Sequence, residues 1–178
     1  MNTMIPMPVQ TTVKAKPRRK RKSATGLPYA SAASGNRARE EATKWLRRLG
    51  CEQIGFMDDF QAQELLLAFT HRGRHVQLRA SAKGWAQKWL KENPQGYRSR
   101  SSPDEYKRAA LHQGQIAVSS IIRDWVKGSV MAVESGVFSF EAAFLPHMLT
   151  SDGRPIIERG RELLPAPTEE KIVSLQAS

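Results

Sequence analysis

Glu64-Leu-Leu-Leu-Ala-Phe-Thr-His-Arg-Gly-Arg-His-Val-Gln-Leu-Arg-Ala80 is the stretch whose pattern decides the fold. Glu64–Thr70 is short and mostly apolar, as a buried strand requires, and His75–Ala80 alternates Val76, Leu78 and Ala80 with polar residues at the period of a half-buried strand. Arg72-Gly73 lies between them and suits a tight hairpin, because glycine accepts positive φ at no steric cost. The two strands are therefore expected to pair antiparallel. A helix is predicted directly after them over Ala82–Glu92, with Trp85 above Trp89 and Ala86 above Leu90, and Asn93-Pro94 stops it.

Towards the N-terminus a third strand is predicted at Glu52–Met57, with Asp58-Asp59 as its turn. Before it, Asn36 is a candidate cap for a helix running to about Gly50. Ala38, Ala42, Trp45, Leu46 and Leu49 share one face of this helix, and Arg39, Glu40, Lys44, Arg47 and Arg48 the other. Residues 35–94 thus read as an α+β unit: helix, three-stranded antiparallel meander, helix.

Residues 95–102 read as an exposed linker. Ser102-Pro103-Asp104-Glu105 then has the pattern of a capping box with proline in the first turn, so a long helix is predicted to about Glu134, with Gly136 beyond it. The stripe Tyr106, Ala110, Gly114, Ala117, Ile121, Trp125, Gly128 and Ala132 is small at most positions, so a close neighbour is expected. That neighbour is either the domain's own core, which is favoured, or a second copy in a homodimer seam through residues 103–134. Shorter helices are predicted at Ser139–Leu149, with Phe140, Ala143, Phe144 and Met148 facing inward, and at Ile156–Leu164, completing a helical C-terminal region over 103–164. Residues 165–178 read as a flexible tail.

The chain has 178 residues and a formal net charge of +11. More than half of that excess lies in residues 1–34, which hold seven basic residues and no acidic ones: Lys14, Lys16, Arg18, Arg19, Lys20, Arg21 and Lys22. This segment is expected to be a disordered basic arm, since it has no hydrophobic periodicity and repels itself when compacted. A second excess runs from Arg72 to Arg100, where eight basic residues face Glu92 alone. Cys51 is the single cysteine, so one chain builds neither a disulfide nor a Cys-rich zinc or iron–sulfur site. No phosphate-binding glycine loop, nucleophile elbow or zinc spacing occurs, and no cofactor or metal is expected. There is no apolar run long enough to span a bilayer and no secretory signal in Met1–Gln10, so an intracellular protein without membrane contact is expected.

Two nucleic-acid folds begin with the order helix, three strands, helix. The strand-to-helix junction His75–Lys91 resembles that of double-stranded-RNA-binding domains, although Lys83-Gly84 stands where that family has a lysine pair. The metal-dependent nuclease fold would draw on Glu40 or Glu41, on Asp58, Asp59 or Glu64, and on Gln77-Leu78-Arg79. There Arg79 replaces the lysine and Gln77 is neutral, so catalysis is the weaker expectation. The expected activity is non-catalytic binding of DNA or RNA through Arg72, Arg74, His75, Arg79, Lys83, Lys88 and Lys91, aided by the arm. The alternatives are a protein-interaction module using the long helix and a degenerate nuclease.

Several segments resemble uncharacterised small proteins of bacteriophages and prophages. They are Gly35-Asn-Arg-Ala-Arg-Glu-Glu41, Gly55-Phe-Met-Asp-Asp59, Arg72–Trp85, Ile121-Ile-Arg-Asp-Trp-Val-Lys-Gly128, and Val133-Glu-Ser-Gly136 through Leu149-Thr-Ser-Asp-Gly-Arg154. The resemblance covers roughly residues 27–165 and carries over no functional residue. That family has no established activity; the resemblance implies a bacterial or phage setting, hence the cytoplasm of a bacterial host, and weighs against reading Lys14–Lys22 as a nuclear-import signal. Taken with the charge pattern, the expected role is in phage DNA replication, recombination or transcription control.

Overall fold

The computed structural model describes residues 26–96 and 101–163, with side chains up to residue 160. The basic arm Lys14–Lys22 and the tail 165–178 lie outside the described residues, as do residues 97–100 of the linker. In the hairpin, Arg72 and Gly73 take φ of 49° and 76°, and His71 pairs with Arg74 across the turn. These left-handed values match the twist of the flanking strands, and a β-branched residue at either position would be strained. The sheet follows the expected meander: β1 (Glu52–Asp59), β2 (Glu64–His71) and β3 (Arg74–Ser81) lie in the order β1-β2-β3, all antiparallel. Asp58 and Asp59 belong to β1, pairing with Leu65 and Glu64, and the turn falls in residues 60–63. A register break between Glu52 and Gly55, with Gln53 at φ 51°, bends the exposed edge of β1.

The helices are α1 (Gly35–Arg48), α2 (Ala82–Glu92), α3 (Pro103–Glu134), the short α4 (Phe140–Phe144) with a 3-10 turn at Leu145–His147, and α5 (Ile156–Leu163). The α1 cap is Ser34, whose hydroxyl accepts from the Arg37 amide at 3.3 Å, two residues before the expected Asn36. Both are good capping residues; the earlier one prevails because Gly35 extends the helix to meet α3, where a Cβ would sit 3.3 Å from Ser119 Oγ. The capping box at Ser102 and Glu105 forms as expected. Pro146 truncates the predicted 139–149 helix, and Met148 instead forms a short bridge with Val76 along the β3 edge.

Helices cover one face of the sheet. Leu65, Leu67 and Phe69 of β2 and Val76 of β3 face them and are buried with Leu46, Val118, Ile122, Val126, Val130 and Phe144. Phe144 meets the edges of both Phe69 and Trp125 at 5.5 Å. On α3 the small stripe is buried only as far as Ala117; Ile121 is 39% exposed and Gly128 is open. Beyond that point the buried line passes through Ile122, Val126 and Val130, because α2 flanks the first half of α3 while α1, the sheet and α4 flank the second. Among the described residues no helix is long and apolar enough to cross a membrane.

The segment 26–34, assigned by composition to the arm, lies on the helical layer. Leu27 is buried, the Tyr29 hydroxyl donates to Asp124 at 2.9 Å, and the Pro28 and Ala32 carbonyls accept from Trp85 and Gln113 at 3.2 and 3.0 Å. The arm's acid-free composition therefore ends inside the folded body.

The tightest helix contact predicts a measurable cost. A Cβ on Gly114 would lie 2.9 Å from the Ala82 carbonyl oxygen, a backbone atom with no side-chain freedom to move aside. Gly114→Ala should lower unfolding stability by about 1–3 kcal/mol despite alanine's better helix propensity. Unchanged or higher stability in a denaturant titration would contradict this packing.

Candidate nucleic-acid interface

Where each cation sits relative to the carboxylates decides which cations can meet a phosphate. Arg39 forms a two-pronged pair with Asp58 at 2.6 and 2.7 Å, on the helix-covered face. Arg37 and Arg123 share Glu41 at 3.2 and 3.5 Å, and Arg123 also holds Asp124 at 2.8 Å. Arg48 pairs with Glu134 at 2.9 Å, Arg159 with Asp152 at 2.6 Å, and Arg74 with Glu141. Each of these arginines already has a carboxylate partner.

Lys83, Lys88 and Lys91 stand differently. All three are exposed on α2, and none has a carboxylate within ion-pair distance among the described residues. α2 starts where β3 ends, capped by Ser81, whose hydroxyl accepts from the Lys83 amide at 3.3 Å. It lies antiparallel to the start of α3, since Ala82 and Ala86 meet Gly114 while Trp89 meets Tyr106 at 5.4 Å. That packing brings Lys107 of α3 to the same groove as Lys83, over a floor of Ala86, Leu90 and Leu111. The sequence reading did not include Lys107, because only the tertiary pairing of two distant helices places it there. Trp85 and Trp89 are half-buried and engaged, Trp85 by its bond to Pro28 and Trp89 by Tyr106, which favours packing over base stacking.

Of the sequence candidates Lys83 lines this groove, Lys88 and Lys91 are exposed on α2 outside its lining, and the others lie farther away. Arg72 and Arg74 are at the hairpin tip, the far end of β3, some seven residues or about 23 Å of extended chain from Ser81. Arg72 is exposed, and Arg74 is held by Glu141 beside a cavity of about 320 Å³ lined also by Leu49, His71, Val133 and Phe140. His75 Nδ1 lies 3.0 Å from the Thr70 hydroxyl on the open face of the sheet. Arg79 shares that face and a shallow cavity with Glu64 and Glu158. The sequence-drawn surface is thus three separate places: the hairpin tip, the open sheet face and the α2–α3 groove.

The nuclease pattern comes together only in part: Glu64 lines the cavity of Gln77 and Arg79 on the open sheet face, whereas Asp58 lies opposite Leu65 on the helix-covered face and the α1 carboxylates Glu40 and Glu41 do not line that cavity. Among the described residues no three His, Cys, Asp or Glu side chains are placed to hold a metal ion. His71 and His75, which bracket the turn, point to opposite faces of the sheet: His71 is buried against Phe140 at 4.3 Å, with Cys51 Sγ 3.9 Å from its Nδ1.

Comparison with protein-family models, curated proteins and solved structures yields no match.

The buried titratable groups give a prediction. Burial pushes the Cys51 thiol up to about 11, so it is neutral at physiological pH. His71 is held below its ordinary 6.5 by burial first and by the Arg72 charge next, and His147 by burial. Below that ordinary value the unfolded chain binds protons that the folded chain resists, so stability present above pH 6.5 should decline as the pH falls. Thermal unfolding at pH 7.5 and 5.5 checks this, with a lower Tm expected at pH 5.5. Cys51 should resist alkylation at pH 8 until denaturant is added; rapid labelling of the native protein would contradict its burial.

Proposed function

We propose that this protein binds nucleic acid without doing chemistry on it, and that the folded contact surface is the α2–α3 groove edge: Lys83, Lys88, Lys91 and Lys107. One observation supports this most strongly. Most arginines of α1 and α3 are tied to carboxylates, whereas Lys83 and Lys107 share the α2–α3 groove and Lys88 and Lys91 are exposed on α2 beside it, all four without a carboxylate within ion-pair distance among the described residues. Lysine on a surface helix is a point charge with three rotatable donors, suited to phosphate contact and poorly suited to reading base edges. Sequence-independent binding follows. Glu92 is on the same helix, and Asp104 and Glu105 in the first turn of α3 are offset in part by Arg108, so the edge keeps a net positive charge. The basic arm Lys14–Lys22 adds a second electrostatic contact through its sequence alone. DNA is the expected polymer, and phage replication, recombination or transcription control the expected setting, on the resemblance and the charge pattern described above.

The protein-interaction reading located its surface on the small stripe of α3. At Ala110, Gly114 and Ala117 that stripe is buried, and at Gly114 it is α2 of the same chain that fills the space, which favours the nucleic-acid reading over a helix seam between copies.

The test is a titration of duplex DNA, single-stranded DNA and RNA at two salt concentrations. With these four lysines the slope of log K against log salt should include a contribution of about −3.6 on duplex DNA, in addition to that of the arm. Replacing Lys83, Lys88 and Lys91 together by Gln should reduce the slope by about 2.7 and weaken all duplex sequences alike. Absence of binding at low salt, or a triple variant indistinguishable from the parent, would refute the assignment.

A further inference from the structure

We propose that the protein has a second polyanion-binding patch, formed by α1 and the C-terminal half of α3, and that one molecule thereby bridges two separate nucleic-acid segments. This rests on the nucleic-acid reading above and adds to it. Lys44, Arg47 and Arg48 are exposed on α1, and Lys127 is exposed on α3. Arg48 and Lys127 both approach the Trp45 ring, at 5.2 and 5.7 Å from its centroid, so the half-buried indole gathers two cations from different helices. Lys44, Trp45 and Arg48 line a shallow cavity of about 330 Å³ together with Glu41.

The acidic groups around this patch are mostly committed. Glu41 is shared by Arg37 and Arg123, Asp124 is held by Arg123 and Tyr29, and Glu134 by Arg48. Glu40, exposed one turn before Lys44, offsets one charge. Lys44, Arg47 and Lys127 have no carboxylate within ion-pair distance among the described residues, so the patch keeps a positive balance.

The geometry of α3 sets the two patches apart. Lys107 and Lys127 are on one unbroken 32-residue helix. Twenty residues separate them, which is about 30 Å along the axis and about 200° around it. α2 packs on the first half of α3 and α1 on the second, so each patch lies on its own helix pair at its own end of the rod. Patches this far apart along and around α3 face different directions, so that each can seat its own segment.

The test uses the full-length protein, a short bead-immobilised DNA duplex and a second, fluorescent duplex, with capture of the fluorescent one as the readout. Light scattering of the protein alone establishes its oligomeric state in the same buffer. The wild type should capture the second duplex. The combined variant Lys44→Gln, Arg47→Gln, Lys127→Gln should still bind the immobilised duplex yet lose about tenfold or more of the capture. Wild-type binding without capture, or full capture by the variant, would overturn the bridging proposal while leaving the nucleic-acid reading intact. If the wild type binds no duplex at all, both fall.

Discussion

The approach of α2 to α3 at Gly114 is the contact from which the functional surface follows. With hydrogen in place of a side chain there, the Ala82 carbonyl can lie where a Cβ would be only 2.9 Å away. Ala82 and Ala86 are buried against that position, and Trp89 and Tyr106 complete the pair at its other end. Drawing the helices this close fixes their antiparallel register. It is that register, more than the lysines themselves, that sets Lys83 of α2 beside Lys107 of α3. A looser pair would spread the same charges over unrelated surfaces.

Charge selection does the rest. An arginine bound to a carboxylate must break that pair before it meets a phosphate, and the fork-shaped bond of Arg39 to Asp58 is half-buried and two-pronged. Such pairs dispose of many cations on the helical layer. Those that remain among the described residues are the lysines of α1, α2 and α3, with Arg47 and Arg108 on the helices and Arg72, Arg79 and Arg154 elsewhere. A net charge of +11 therefore exaggerates the folded body as a polyelectrolyte, because much of it belongs to the arm and much of the rest is paired.

The elements of the fold were largely legible, since their signals are local. The Ser102–Glu105 capping box, the left-handed Arg72-Gly73 turn and the 3.6-residue periodicity of α2 depend on neighbours within four positions, and each produced the element expected of it. Some misreadings were local, namely the α1 cap, the β1 turn and the helix stopped at Pro146, but the larger ones depended on partners far along the chain. Segment 26–34 has no periodicity, yet Leu27 is buried and Tyr29 is bonded to Asp124 of α3, 95 residues away. The line of burial on α3 changes at Ile121 because its partner changes, which no single helical stripe encodes. The candidate site was legible in residue type but not in grouping. Lys83, Lys88 and Lys91 were visible as a charge excess, while their separation from Arg72 and Arg79, the capture of Arg74 by Glu141, and the addition of Lys107 are consequences of tertiary packing.

The most direct test of the central claim, that the unpaired lysines of the α2–α3 edge form the folded phosphate-contacting surface, is an amide chemical-shift titration of the full chain with a DNA duplex at low salt. The account predicts that shifts in the folded body centre on Lys83–Glu92 and around Lys107, leaving Met57, Leu66 and Gln77 on the open sheet face unmoved. Perturbations centred on that sheet face or on the hairpin tip, or confined to the arm, would contradict it.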